Sequence, residues 1–314
     1  MSLFLGIDTS NYTTSCALYD SETGEVFSNK KLLPVKSGEK GLRQSDAVFH
    51  HTKQLPELME QLLLGKGEIS CVSYSCAPRD VKGSYMPCFL VGECTARSIA
   101  SANGVKSYAT YHQMGHILAA LYSCKRLDLL KSNKSFLAFH ISGGTTDMLL
   151  CKPDDDKVLA IEQIGSSLDL KAGQAVDRVG LMLGLDFPCG AQLEKLAEKS
   201  KGGFSVKPVI RGLDCSLSGV ENKCRDMIKA GSSSEDTARF CLEYIGASVR
   251  SMTLAALKEY SEMPVVFAGG VMSDKLIKNM LMPVCDGYFA QPEYSCDNAV
   301  GVAIYGAVRE DALL

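Results

Sequence analysis

Twice in this chain an apolar run meets a short cluster of small polar residues and then turns apolar again, at residues 3–20 and 136–151. In the first copy Leu3, Leu5 and Ile7 lead into Asp8, Thr9, Ser10 and Asn11, and Cys16, Ala17 and Leu18 follow. In the second, Phe136, Leu137 and Phe139 lead into Ser142, Gly143, Gly144 and Thr145, and Met148, Leu149 and Leu150 follow. Each reads as strand, polar turn, strand. The match is too short for a sequence repeat, yet it implies that each half of the chain opens on the same hairpin. At 314 residues the chain exceeds what one small core organises, so two lobes are expected.

The segments between and after the hairpins alternate in type. Residues 46–64 carry helical apolar spacing (Leu55, Leu58, Met59, Leu62, Leu63), Cys71–Ser75 reads as a strand, and 90–103 as a helix of small residues. Helices are expected over about 171–185 and near 190–199. Ser234, with Glu235 and Asp236 in the next turn, reads as the start of a long helix reaching about Leu257. Val265–Ala268 is a buried strand running into Gly269 and Gly270, and a last helix begins near Asn298, where Asp297 would serve as its N-cap. Alternating strands and helices point to α/β layers. With no Pro- or Ser-rich linker, the division expected is a first lobe of residues 1–110, joined by the helix of 298–314, and a second of 111–297.

A net charge of −3 provides no overall basic field, so a nucleic-acid partner would need a local patch or another subunit for its attraction. No apolar run approaches a membrane span and no signal peptide is read at the start, so a cytoplasmic protein without membrane contact is expected. The 13 cysteines are scattered singly, without a Cys-x-x-Cys, which argues against a disulfide framework and a zinc ribbon. Cys189 and Cys296 neighbour candidate site residues; packing is the simpler role for both.

His112 and His116 stand one helical turn apart, so their imidazoles project from one face and can reach a single metal ion. A bare His-x-x-x-His is more often a pair of satisfied structural histidines. The zinc-protease pattern needs a Glu after the first His as general base; Gln113 stands there and cannot ionise, which excludes that peptidase chemistry. Ser142–Thr145 provides close-approach backbone N–H groups of the kind that hold phosphate. Gly269 and Gly270 open a helix whose N-terminal dipole favours an anion.

Taken in order, these pieces resemble the tRNA threonylcarbamoyladenosine transferase family, formerly called O-sialoglycoprotein endopeptidases. The resemblance runs from Gly6 to the final helix. It is carried by Gly83 to Gly92, His112-x-x-x-His116, Ser142-Gly143-Gly144, Ala172 to Asp177, Pro188-Cys189-Gly190, Asp214 to Gly219, Ala268 to Val271 and Asp297-Asn298-Ala299. It implies a two-lobed α/β fold of the actin/hexokinase/Hsp70 ATPase type, each lobe a mixed sheet with flanking helices. It also implies one divalent metal ion, iron or zinc, on His112, His116 and Asp297. His140 stands where relatives carry a Tyr that approaches the metal, and two readings are open: a fourth ligand, or a side chain turned to the opposite face of its strand. By the same resemblance Ile141, Ser142, Gly143, Gly144, Thr145, Asp177, Gly190, Glu194, Gly269, Gly270 and Asp274 hold an adenine nucleotide or threonylcarbamoyl-AMP.

The departures from the family pattern are specific. Its first loop usually reads Glu-Thr-Ser-Cys-Asp-Glu-Thr, and here Asp8, Thr9, Ser10 and Asn11 lead into Tyr12 and two threonines. Asp274 replaces a usual Asn, Thr145 a His, and Lys171 enters a segment that is usually acidic. The implied activity is threonylcarbamoyl transfer to N6 of adenosine in tRNA, with partner subunits helping to hold the tRNA and either a homo- or a heterodimer expected. The alternatives are a divergent paralogue that transfers a carbamoyl group, or carries out nucleotide-dependent transfer, to another acceptor, and a non-catalytic metal- and nucleotide-binding subunit.

Overall fold

The structure, a computed structural model, describes residues 2–10, 12–34, 42–132, 134–295 and 299–313. Along the chain run β1 (Leu3–Ser10), β2 (Thr13–Asp20), β3 (Val26–Leu32), α1 (Gln44–Leu63), β4 (Ile69–Ala77), α2 (Phe89–Asn103), β5 (Lys106–Tyr111), α3 (His112–Ser123) and the short α4 (Asp128–Lys131). Then come β6 (Phe136–Ile141), β7 (Thr146–Asp154), β8 (Val158–Ser166), α5 (Ala172–Met182), α6 (Gly190–Ala197), β9 (Val209–Arg211), β10 (Asp214–Ser216), α7 (Ser218–Lys229) and α8 (Ser234–Tyr260). The chain continues through β11 (Val265–Ala268), a 3-10 turn (Gly270–Ser273), α9 (Lys275–Leu281), β12 (Gly287–Phe289) and α10 (Val300–Arg309).

Two compact units result. One gathers Met1–Leu130, Asp154–Leu159 and Glu293–Leu314; the other gathers Lys131–Pro153 and Ala160–Pro292. The boundary expected at 110/111 falls inside the first unit, which keeps α3 with the sheet of β1–β5.

Each unit is built on a five-stranded mixed sheet, in the order β3-β2-β1-β4-β5 in the first and β8-β7-β6-β11-β12 in the second. In the first, β1 and β2 are antiparallel while β4 runs parallel to β1 and β5 parallel to β4. In the second, β6 and β7 are antiparallel and β11 runs parallel to both β6 and β12. The hairpin read twice in the sequence is thus present in both units, and each time two parallel strands extend the sheet on its far side.

All eight residues of β1 are buried because both faces of the strand are covered. Leu3, Leu5 and Ile7 pack with Leu55, Leu58, Met59 and Leu62 of α1. On the other face Gly6 leaves room for α10: a Cβ there would overlap the Ala299 carbonyl and the Ala303 backbone. Asp8, Thr9 and Ser10 belong to this strand and not to a loop, a correction to the sequence reading. A strand accepts such residues when their polar atoms find partners inside. Thr9 does so by donating to the Cys88 carbonyl and accepting from Gly92 N–H.

In the second unit Leu137, Phe139 and Ile141 of β6 pack with Ala175, Val176 and Val179 of α5 and with Ile245 and Val249 of α8. The long helix α8 is capped by Ser233, one residue earlier than expected, whose hydroxyl accepts from Asp236 N–H at 3.1 Å. The twelve cysteines among the described residues are free, as their scattered spacing implied. No helix among the described residues is long and apolar enough to cross a membrane.

Candidate functional site

In the first unit, strand pairing lines up the chemistry. Ile7 is opposite Tyr74 and Ser75 opposite Thr110, so Asp8, Ser75 and Thr110 come side by side at the C-terminal ends of three parallel strands. The chain leaves β5 at Tyr111 and starts α3 at His112 without an intervening loop. His112 therefore stands directly over Asp8. Its Nδ1 lies 2.9 Å from Asp8 Oδ2, and Ser75 Oγ donates to that same oxygen at 2.6 Å. The other carboxylate oxygen accepts from Ser10 N–H at 2.9 Å.

His116, one turn along α3, brings its Nε2 to 2.9 Å from Nε2 of His112, with the rings edge to face at 77°. Two imidazole donors bound to one ion at about 2.0–2.1 Å are separated by about 3.0–3.4 Å, so the pair needs to part only by a few tenths of an ångström to hold a divalent cation. The donor set fits such an ion. What keeps His116 in place is backbone contact: a Cβ on Gly301 of α10 would overlap the Gly115 carbonyl, so the two helices touch without side chains between them. Phe89 at the start of α2 covers His112, with ring centroids 6.3 Å apart.

Asp297 and Asn11 lie outside the described residues, as does Cys296. Among the described residues no group of three or more His, Cys, Asp or Glu side chains is arranged to hold a metal. His140 lies in the second unit, on β6, opposite Asp147 of β7 and Ala268 of β11. It is half-buried, alternating with Phe139 and Ile141, which belong to the helix-facing core.

The second unit holds a backbone cradle. Ser142 N–H donates to the Thr145 carbonyl at 2.8 Å, closing a tight connection whose two glycines face open space. The N-terminus of α5 is drawn onto this loop. Ala172 N–H donates to Thr146 Oγ1 at 2.9 Å and Gly173 N–H to the Ser142 carbonyl at 3.2 Å, and a Cβ on Gly173 would come within 2.6 Å of the Gly143 backbone. From the other side Gly269, with φ of 98°, lies so close to Ile141 that a Cβ would overlap its carbonyl. A left-handed backbone with no room for a side chain admits only glycine. Ile141–Thr145, Gly269 and Gly270 thus gather at one end of β6 and β11, with the N-terminus of α5 beside them.

The carboxylates expected at a nucleotide are also tied to the scaffold. Asp177 accepts from Cys189 N–H at 2.9 Å, next to Gly190 at the start of α6. Glu194 accepts from Lys275 N–H at 3.0 Å. Asp274 caps α9, accepting from Ile277 N–H at 2.9 Å, and burial pushes its carboxyl up to about 6, with Glu194 and Glu198 adding to the effect. Lys171, the gained cation, donates to the Ser167 carbonyl at 3.0 Å.

Three contributors escaped the sequence reading. Ser75 and Thr146 act through pairings distant in the chain, for which a single sequence has no signal. Asp169 accepts from Leu217 N–H at 2.7 Å, Ser218 N–H at 3.1 Å and Ser218 Oγ at 2.6 Å, so it caps α7 from a distance. Burial works to raise its carboxyl, but these donors, with Leu170 N–H, hold it below the usual range. Asp169 lies inside the acidic family segment, which could have singled it out.

Solved structures with the same fold are distant in sequence. Component A of (R)-2-hydroxyglutaryl-CoA dehydratase from Acidaminococcus fermentans is 15% identical, with a TM-score of 0.57 over 99% of both chains. HypF of T. kodakarensis is 13% identical with a TM-score of 0.63, covering 100% of this chain and 48% of its own. A ROK-family glucokinase from Streptomyces griseus, solved with glucose and AMPPNP, is 11% identical with a TM-score of 0.53 over 98% of this chain and 99% of its own. They establish the fold as the two-lobed α/β type shared by hexokinase-like ATPases. The family model for TsaD, tRNA N6-adenosine threonylcarbamoyltransferase, matches residues 25–304. That span takes in the imidazole pair of α3 and the whole glycine cradle, so this chain belongs to the tRNA N6-adenosine threonylcarbamoyltransferase family.

Proposed function

We propose that this protein transfers a threonylcarbamoyl group from threonylcarbamoyl-AMP to N6 of an adenosine in tRNA. The observation that carries this reading is the convergence of two imidazole Nε2 atoms to 2.9 Å in a chain whose family match spans residues 25–304.

The chemistry asks for activation on both sides. The N6 amine is a poor nucleophile because its lone pair is delocalised into the purine, so the carbonyl must carry a good leaving group. Attack by N6 forms the new C–N bond, the carbonyl–phosphate oxygen bond breaks, AMP leaves, and N6 loses a proton. In this reading His112 and His116, with Asp297 as third ligand, hold a divalent iron or zinc ion. When bound, that ion supplies a Lewis acid for the carbamoyl end. The backbone of Ser142–Thr145 and the Gly269–Gly270 turn take the phosphate, as N–H groups that approach without side chains can. Asp177 and Glu194 orient the ribose, and partner subunits contribute to tRNA binding.

The test is complementation of a strain lacking the modification, read as the modified nucleoside by mass spectrometry of its tRNA. The wild-type gene should restore the nucleoside and His112→Ala with His116→Ala should not; no nucleoside with the wild-type gene counts against the reading. A different, small acceptor is the second reading, motivated by the altered first loop, where Asp8, Thr9, Ser10 and Asn11 lead into Tyr12 and two threonines in place of the family's acidic pattern. Release of AMP or ADP from ATP supplied together with carbamoyl phosphate and small acceptors, without tRNA, would support it.

A further inference from the structure

The metal reading assigns roles to the histidines but none to Asp8, although Asp8 is the most enclosed charged group beside them. Its side chain is 1% exposed and sits at the end of β1, where a carboxylate has no solvent to stabilise it. A buried carboxylate persists when its oxygens are satisfied by donors. Here Oδ1 takes Ser10 N–H, and Oδ2 takes Ser75 Oγ at 2.6 Å and Nδ1 of His112 at 2.9 Å. Ser75 lies on the neighbouring strand, so the carboxylate is clamped by two elements of the sheet before it meets the imidazole.

Nδ1 is the nitrogen of His112 on the far side of the ring from His116. An acceptor fixed there can be satisfied only if Nδ1 carries the ring proton, which leaves the lone pair on Nε2. That lone pair is the one aimed at the 2.9 Å meeting point with His116 Nε2. Asp8 lies outside any coordination sphere centred between the two Nε2 atoms. It faces a ligand's back.

We infer that Asp8, clamped by Ser75, is a positioning residue that sets the tautomer and ring orientation of His112 so that its Nε2 is the metal donor. The inference rests on the metal reading above. Outer carboxylates of this kind alter affinity at the metal by about 10- to 100-fold when removed. A purely structural Asp8 would alter stability and leave the tautomer alone.

The experiment uses the full chain and zinc as probe. Two-bond ¹H–¹⁵N spectra of the metal-free protein read the His112 tautomer, and a competition titration against a chromogenic chelator reads zinc affinity. The wild type should show His112 protonated on Nδ1. Asp8→Asn should lose that single tautomer and bind zinc about 10- to 100-fold more weakly with an unchanged circular dichroism spectrum. Ser75→Ala touches neither histidine, so it keeps the test open if Asp8→Asn does not fold; a several-fold loss of affinity is expected. Zinc binding unchanged in both variants, or His112 protonated on Nε2 in the wild type, overturns this inference alone. No zinc binding by the wild type removes the metal reading and this inference with it.

Discussion

Asp274 and Asp169 are both carboxylates at the start of helices, and their surroundings drive them in opposite directions. Asp169 is exposed and is held below its usual range by its donors despite some desolvation, so its contribution is present at neutral pH and is lost as pH falls through its lowered value. Asp274 is enclosed beside Glu194 and Glu198, and burial moves it from near 4 up to about 6. The folded protein then keeps a proton that the unfolded chain releases. Stability from this group is full below about pH 4 and lost as pH rises through about 6. Asp274→Asn retains an acceptor for Ile277 N–H and removes the charge, so it should stabilise the protein by about 3 kcal/mol at pH 8 and by about half that at pH 5. Denaturant midpoints at the two pH values check the sign; a variant less stable than wild type at pH 8 would show that the charged form is favoured in the fold. Nothing in the sequence marks Asp274 as buried, because the groups that crowd it, Glu194 and Glu198 among them, are about eighty residues away in the chain.

At the scale of elements, the strand and helix pattern was legible because it is local. Apolar spacing over 46–64 and 90–103 corresponds to α1 and α2, and the two hairpins were read correctly in kind. The extent of β1 was not, since whether Asp8, Thr9 and Ser10 belong to a strand depends on Ser75, Cys88, Gly92 and His112, all far along the chain. Helix contact is equally non-local. Gly301 is one of several small residues of the last helix, with Ala299 at its N-cap and Ala303, Gly306 and Ala307 within it, and the structure makes it the point where α10 meets the Gly115 carbonyl of α3. Gly301→Ala should push the helices apart, lower stability by about 1–3 kcal/mol and weaken zinc binding, because His116 follows Gly115 directly. Thermal unfolding with a zinc titration of the same variant tests both parts. An unshifted melting temperature would show that the interface can yield.

For the whole molecule, charge is the relevant quantity. With a net charge of −3 the chain has no general attraction for a polyanion. Purified alone, it should bind tRNA with a Kd weaker than about 10 μM at 150 mM salt, and added partner subunits should tighten the complex. Fluorescence anisotropy across a salt series measures this; tight, steeply salt-dependent binding by the isolated chain would contradict the need for partners. Repetition of one sheet order in both units is also a whole-molecule property, and only its two hairpins showed in the sequence.

By itself the sequence determined the alternation of strands and helices, the i, i+4 imidazole pair and the glycine loops, because each depends on residues within a turn or two of one another. It also carried the family, through the order of motifs along the chain. Only the tertiary structure decided that Asp8 and Ser75 stand behind His112, that Gly269 closes on Ile141, and that Asp274 is desolvated. Those facts depend on strand register and helix contact between distant segments, where burial and hydrogen bonding are set by neighbours that sequence proximity does not name.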